Sequence, residues 1–363
     1  MADLDNLHSQ EGTGSTAARE VDNGTQLFDS IASPDLSSAD TMGDILSATP
    51  RGLSLGRVGQ LGASLAGWHH QIPPRPIAQA RAVIFAGDHA IASHGISAYA
   101  PQASLEQFEE LQAGGGSANT LARAAGASIR LVDISLDHDV FGDERVLRSC
   151  PPIDAEDAMT PESLGRALGV GKRIADQEVD AGADIVLPGE LGVGNTTVAA
   201  AVVGTLTHTE PVAIVGPGSG INDDMWKRKV SVIRDAMFRA RDARWNPAEV
   251  LRRIGAPDFA ALVGFIAQSA VRRTPILLDG SYVSAAALAA EQLAPGVKNW
   301  CIAASISPEP AHVRALGELE LTPLMALEVS TGQAVGSLMV LPLVASAAHL
   351  SIDEFDALKA AQH

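Results

Sequence analysis

The sequence predicts a doubly wound α/β fold with a mostly parallel sheet, and three observations support this. Six short apolar runs lie between positions 82 and 304, polar residues or glycines follow them, and Ala-rich helical stretches separate them. Continuous apolar runs are typical of strands that are buried on both faces of a sheet. The alternation of such strands with helices favours parallel pairing.

The apolar runs are the predicted strands, in chain order. They are residues 82–85, 129–132, 185–187, 212–215, 276–278 and 300–304. The helical stretches between them include 196–207, 223–242, 259–272 and 282–293. Ligands of such sheets bind beyond the carboxyl ends of the strands, so the loops after these runs are the candidate functional segments.

The two ends of the chain show no strand pattern. Apolar residues at spacings of two to four predict one amphipathic helix over 53–68, which Pro73 and Pro74 end. Near the other end, Pro342 interrupts the apolar run 335–350 and should kink or start a helix there.

Three parts of the chain are therefore predicted. Residues 1–20 are polar and acidic and should form a disordered tail. Residues 21–75 and 311–363 should pack together as a smaller helical domain built from both chain ends. Residues 76–310 should form the large α/β domain.

Composition excludes several classes of function. Among 363 residues, 26 Lys and Arg against 43 Asp and Glu give a net charge of −17, so nucleic acid and anionic membranes are poor partners. Two cysteines are too few for a disulfide scaffold, and no ligand spacing predicts a metal site. The sequence has no run of 18 apolar residues and no secretory leader, so we expect a cytoplasmic protein without a membrane span.

The segment 189–197, which reads GELGVGNTT, is the most informative loop. Its three glycines let the backbone turn tightly and approach a ligand, and Asn195, Thr196 and Thr197 supply a cap and hydroxyl groups. The N-terminus of the helix that follows offers free N–H groups and partial positive charge, which favours an anion. The segment matches neither a Walker motif nor GxGxxG, so an ordinary glycine-rich loop with an N-cap remains an alternative.

A second glycine-rich loop, 216–220, reads GPGSG and precedes a helix that carries Lys227, Arg228 and Lys229. In an acidic protein, a basic cluster behind such a loop is suited to clamp a phosphate. A solvated helix face is the simpler interpretation for Lys227 and Arg228.

Asp88 and His89 follow the first predicted strand. The pair could act as an acid–base couple, as metal ligands or as part of a buried polar network, and the spacing alone does not separate these roles. No GxSxG elbow is present, which argues against an α/β-hydrolase.

Taken together, five segments resemble the nicotinate-nucleotide–dimethylbenzimidazole phosphoribosyltransferase family. They are residues 83–89 with 95–99, 114–119, 189–197, 216–223 with Lys229, and 307–312, and residues 277–280 also fit. The resemblance implies a homodimer with a Rossmann-like large domain, a small helical domain and no cofactor. It implies transfer of phosphoribose from nicotinate mononucleotide to dimethylbenzimidazole in cobalamin assembly, with inversion at the anomeric carbon and no covalent enzyme intermediate.

The resemblance also implies roles for individual residues. Glu190 would stabilise positive charge that develops on the reacting ribose. The other residues would contact the phosphate or nucleotide (Gly192, Gly194, Asn195, Thr196, Thr197, Gly218, Ser219, Lys229, Asp279, Ser305 and Ser307) or the aromatic base (Asp88, Ser97, Tyr99 and Gln102).

One position departs from the family pattern. Gln333 lies nine residues before Pro342, where the family keeps the glutamate that serves as general base. Glutamine can hydrogen-bond the acceptor base but cannot take its proton, and loss of a general base costs roughly 10²–10⁴ in rate. The sequence therefore predicts a slow transferase, and leaves open whether Glu328 substitutes for the missing base.

A different class of function is the alternative: a catalytically impaired homologue that binds a nucleotide or an aromatic base without turnover. A dinucleotide enzyme on a similar fold is disfavoured because no GxGxxG motif with a downstream acidic residue is present.

Overall fold

The computed structural model describes residues 27–218 and 220–361. The predicted tail 1–20 and the candidate site residue Ser219 lie outside the described residues. The described part contains a five-stranded sheet covered by helices, and this confirms the predicted α/β class.

The strands agree with five of the six apolar runs. They are β1 (Ala80–Gly87), β2 (Ser128–Ser135), β3 (Ile185–Leu191), β4 (Ile276–Leu278) and β5 (Cys301–Ala303). All neighbours pair in parallel, in the order β2-β1-β3-β4-β5. The chain therefore winds outward from the centre of the sheet in both directions, as predicted.

The α-helices of the described part are numbered here in chain order. They are α1 (Leu36–Ser47), α2 (Pro50–Leu53), α3 (Arg57–His69), α4 (Ala103–Gln112), α5 (Gly116–Ala125), α6 (Pro161–Asp180), α7 (Asn195–Leu206), α8 (Pro211–Ile214), α9 (Asp223–Ala240), α10 (Pro247–Ile254), α11 (Pro257–Val271), α12 (Gly280–Leu293), α13 (Pro310–Glu318) and α14 (Val335–Ala360). Short 3₁₀ segments occupy Ala90–His94 and Val297–Trp300.

The predicted strand over 212–215 is wrong, because this run forms the short helix α8 and a single extended residue. Pro211 begins the helix, since its ring presets a helical φ and it has no N–H for a sheet ladder. The side chain of Val212 is 61% exposed, so the run lacks the burial on both faces that an interior strand has.

Alternate residues of β1 contribute to two separate cores, one on each face of the sheet. Val83 and Phe85 pack with α6, α7, α11 and α12 on one face. Ile84 and Ala86 pack with α5 and α14 on the other. This alternation follows from the two-residue period of a strand, and it explains why the run is apolar throughout.

Helices from the first and last parts of the described chain pack together. The helix predicted over 53–68 is divided into α2 and α3, and Gly56 between them adopts a φ of 52°. Helix α3 packs against α1 and α14, so elements from both ends are in contact. The division of the chain into two domains remains a prediction.

Helix α14 begins at Val335 and contains Pro342, so the proline does not start a helix, and the alternative that it kinks one remains a prediction. It is the one helix of the described part that is long and apolar enough to cross a membrane, judged by length and composition. Of its most apolar window, 56% is buried against the rest of the protein, as in a core helix. Length and composition alone therefore do not distinguish α14 from a membrane span, and its burial favours a core helix.

Helices α6 and α11 approach closely at Gly171, where an added Cβ would lie 1.8 Å from the carbonyl oxygen of Ala261. We expect Gly171→Ala to lower the free energy of unfolding by about 1–3 kcal/mol, because the backbones must separate. Urea denaturation measures the change. In the control Gly165→Ala, on the same helix with open space around it, alanine should stabilise by about 0.5–1 kcal/mol. Equal stability of both variants would contradict the close packing.

Candidate active site

A cavity of about 640 Å³ lies beyond the carboxyl ends of β3 and β4, where the fold class predicts a ligand site. Five loops form its walls together with α4 and the first residues of α5, α7 and α12. The lining residues are Ile96, Ser97, Tyr99, Ser104, Gln107, Glu110, Gly116, Ser117, Glu190 to Thr197, Gly218, Gly220, Gly280, Ser281, Tyr282, Ser307, Glu309 and Ser330 to Gln333. Both glycine-rich loops singled out in the sequence therefore contribute to one cavity.

The first loop connects β3 to α7, and its backbone lies close to the end of β1. An added Cβ on Gly192 would lie 2.2 Å from the carbonyl oxygen of Gly87, so only glycine fits there. Gly194 is the N-cap of α7, with a φ of 98°, which corrects the prediction of a side-chain cap. Asn195 is instead the first helical residue, and its side chain accepts the N–H of Thr196 at 2.6 Å and donates to Glu190.

Lys229 joins the two glycine-rich loops. Its ammonium group donates to Thr196 Oγ1 at 2.8 Å, and an added Cβ on Gly218 would lie 2.9 Å from the same nitrogen. The side chain is almost wholly buried, and burial lowers the pKa of Lys229. Lys227 instead pairs with Asp224 on the surface, as the simpler interpretation of the sequence predicted.

A buried carboxylate belongs to the same cradle. Glu309 Oε1 accepts the backbone N–H of Gly218 at 2.6 Å, and an added Cβ on Gly216 would lie 2.5 Å from the carboxylate. One amide of the second loop is therefore already used by the protein. The negative charge of Glu309 partly opposes the lowering of the Lys229 pKa.

Glu190 lies at the end of β3 with its carboxylate buried in the cavity wall. Burial raises the pKa of Glu190 to about 7, and the nearby carboxylates of Asp258 and Asp279 add to the rise. The hydrogen bond from Asn195 and the charge of His89 oppose it. The result is a carboxyl group that exchanges a proton near neutral pH.

Gln333 faces the same cavity as Glu190. Its side-chain Nε2 donates to Gln107 Oε1 at 2.9 Å, and its backbone N–H donates to the carbonyl of Glu190 at 3.0 Å. Gly332 and Gln333 both adopt left-handed backbone conformations, with φ values of 69° and 58°. Glu328 is exposed and lies outside the lining residues.

His89 belongs to a buried polar network, one of the three roles that the sequence left open. Its Nε2 lies 3.3 Å from Asp258 Oδ2, and the hydroxyl of Tyr282 donates to that oxygen at 2.6 Å. Asp88 does not line the cavity, and its carboxylate accepts the N–H of Asp137 at 2.8 Å.

Of the other predicted base-binding residues, two line the cavity and one does not. Ser97 and Tyr99 line the cavity, and Tyr99 is 57% exposed at its mouth. Gln102 is the exposed N-cap of α4 and does not line it.

Of three further residues predicted to contact the nucleotide, one lines the cavity and two do not. Ser307 lines the cavity, whereas Asp279 and Ser305 lie behind its wall. The Asp279 carboxylate accepts Ser305 Oγ at 2.8 Å and the N–H of Gly336 at 2.7 Å, which anchors the start of α14. Asp279 thus supports the wall rather than facing a ligand.

Several lining residues were not identified from the sequence. Among them are Gln107, Glu110, Ser117, Ser281, Tyr282 and Glu309. Ser117 and Glu309 lie in segments that carry the family resemblance, so the motif itself was a usable signal. Gln107, Glu110 and Tyr282 lie on helices with no motif, and only the packing of those helices turns them toward the cavity.

Known proteins resemble this chain over most of its length. A family model described as "Phosphoribosyltransferase" matches residues 34–361. A Corynebacterium glutamicum protein named nicotinate-nucleotide–dimethylbenzimidazole phosphoribosyltransferase is 53% identical over 331 residues, covering 90% of this chain and 92% of that protein. A protein of the same name from Mycobacterium avium is 47% identical, covering 82% and 86% of the two chains.

A solved structure shows the same fold. The crystal structure of CobT from Thermus thermophilus superposes with a TM-score of 0.82 at 29% identity, covering 87% of this chain and 95% of that one. The family match, the identity of the relatives and the shared fold agree with the cavity at the strand ends. The chain belongs to the nicotinate-nucleotide–dimethylbenzimidazole phosphoribosyltransferase family.

Proposed function

We propose that the protein transfers the phosphoribosyl group of nicotinate mononucleotide to dimethylbenzimidazole, releasing nicotinate and forming α-ribazole phosphate for cobalamin assembly. Relatives that are 52–54% identical in sequence and are named for this reaction support the proposal. The single structural observation that carries the proposal is one cavity with a buried ammonium cradle at Lys229 and a buried carboxylate at Glu190.

The phosphate of nicotinate mononucleotide would bind between Gly218, Thr196 and Lys229, with the positive end of α7 beside it. A hydrogen bond from an ionised donor is about twice as strong as one from a neutral donor, so Lys229 would contribute most to phosphate binding. The acceptor ring would lie nearer Ser97 and Tyr99, which line the cavity.

The chemical step would then be a direct displacement at the anomeric carbon. A ring nitrogen of the base forms the new C–N bond while the bond to nicotinate breaks, and nicotinate leaves with the electron pair of that bond. Positive charge that develops on the ribose would be stabilised by the carboxylate of Glu190. Holding both substrates in one cavity supplies the orientation that a two-substrate reaction needs.

Incubation of the full chain with nicotinate mononucleotide and dimethylbenzimidazole tests the proposal. We expect chromatography to show nicotinate and α-ribazole phosphate in equal amounts, and no nicotinate when the base is omitted. Tight binding of the nucleotide by calorimetry without product after long incubation would contradict turnover and favour the impaired homologue.

We also propose that the protein is a cytoplasmic homodimer. The family resemblance supports both statements, and the burial of α14 is consistent with the location.

A further inference from the structure

We propose that Glu190 accepts the proton that the acceptor base loses, in place of the residue at position 333. The inference rests on the proposed function and names the residue that completes its chemistry. It gives Glu190 a second task beside the stabilisation of charge on the ribose.

The reaction requires a proton acceptor. The lone pair of the unprotonated ring nitrogen forms the new bond to the anomeric carbon, and nicotinate departs with the electrons of the broken bond. The other ring nitrogen still carries its proton, so the attached ring bears a positive charge until that proton leaves. A carboxylate that takes the proton leaves an uncharged ring on the product and becomes a neutral carboxyl group, which then returns the proton to water.

Gln333 cannot perform this step, because an amide accepts a hydrogen bond but not a proton at neutral pH. Its amide is joined instead to Gln107 at 2.9 Å across the cavity wall. The position remains suited to orient a ring, and the acceptor must be a neighbouring group.

The carboxylate of Glu190 lies directly beside this position. The N–H of Gln333 donates to the carbonyl of Glu190 at 3.0 Å, which brings the two backbones together. An added Cβ on Gly332 would lie 2.3 Å from Glu190 Oε1, so this oxygen lies against the segment that carries Gln333. The other oxygen, Oε2, accepts the side-chain amide of Asn195.

The other carboxylates of the cavity wall are less well placed. Within the described residues, the cavity is lined by the carboxylates of Glu110, Glu190 and Glu309. Glu110 is exposed and lies beside the turn before α5, and Glu309 is bound to the N–H of Gly218 at 2.6 Å. Glu190 is the one that is both buried and adjacent to Gln333.

The surroundings of Glu190 suit proton transfer at neutral pH. The charged groups that face it come from three directions: Asp258 on α11, Asp279 after β4 and His89 after β1. Burial and, after it, the two carboxylates raise the pKa of Glu190 to about 7, and His89 opposes them. A general base is most effective when its pKa lies near the working pH.

Five variants of the full chain test the inference: Glu190→Gln, Gln333→Glu, the double variant, Glu110→Gln as the competing carboxylate, and Glu109→Gln as control. Glu109 is exposed on α4 and lies outside the lining residues, so its variant should keep the kcat of wild type. Glu190→Gln should lower kcat by roughly 10²–10⁴, while calorimetry shows nucleotide binding within about threefold of wild type. The fall in kcat of the wild type below about pH 7 should be absent in this variant.

Restoration by the double variant is the decisive result. If Glu190 takes the proton, a carboxylate at position 333 should recover at least about tenfold of the lost kcat. A double variant with the same kcat as Glu190→Gln would overturn the inference. Glu190 would then act only by stabilising charge on the ribose. Loss of activity in Glu110→Gln with full activity in Glu190→Gln would overturn it as well. If the wild type releases no nicotinate, the proposed function itself is wrong. If the wild type and Glu190→Gln are both active, only the role of Glu190 as proton acceptor is wrong.

Discussion

Replacing Lys229 with methionine is expected to raise the KM for nicotinate mononucleotide by about 10²-fold. Hydrogen bonds to charged groups contribute about 1.5–3 kcal/mol, which corresponds to roughly 10- to 150-fold in affinity. The upper part of this range applies because the ammonium group is buried, 2.8 Å from Thr196 Oγ1. Methionine keeps a long apolar stem, so the loss should come from the missing charge and not from a cavity.

The same exchange at Lys227 is the control. Lys227 precedes Lys229 by two residues on α9, but it is exposed and pairs with Asp224. Initial rates over a range of nucleotide concentrations should show an unchanged KM for Lys227→Met. A similar KM in both variants would mean that the phosphate binds elsewhere than the cradle of Thr196, Gly218 and Lys229.

Glu190→Gln is expected to stabilise the protein above pH 7 while it lowers activity. The pKa of Glu190 is raised from 4.5 to about 7, so the folded protein holds a proton there that the unfolded chain has lost. The contribution of Glu190 to the free energy of unfolding of the wild type should therefore fall as the pH rises from about 4.5 to 7. Above pH 7 the protein bears the full cost of burying the charged carboxylate. The difference between a pKa of 4.5 and one of about 7 corresponds to about 3 kcal/mol.

Urea denaturation of wild type and variant between pH 5 and 8 measures this cost. The difference in free energy of unfolding should be small at pH 5 and grow toward pH 8 in favour of Glu190→Gln. Glu249→Gln should show the opposite sign, because Arg252 and Arg253 lower the pKa of Glu249 to about 2. Its carboxylate stabilises above about pH 4.5, and this contribution is lost as the pH falls toward 2. A pH-independent difference for Glu190→Gln would show that the carboxyl group is not perturbed.

The strands were largely predictable because burial on both faces of a parallel sheet makes a run apolar at every position. The prediction over 212–215 failed for a related reason. Four apolar residues in a row do not reveal whether both faces are covered, and Val212 is in fact exposed. Pro211 was the overlooked local signal, because proline commonly begins a helix.

The glycine-rich turns of the site and the departure from the family pattern at Gln333 are evident from the residues alone. Glycines such as Gly194 and Gly218 adopt positive φ values that other residues rarely take, so their role is legible from the chain alone. Which side chains face the cavity was decided only by tertiary packing, as Gln102 and Gln107 on the same helix region show.

The pKa of Glu190 likewise depends on its burial and on Asp258 and Asp279, which are distant in sequence. Local geometry follows from each residue and its neighbours along the chain, whereas burial and electrostatics sum over residues that only the fold brings together.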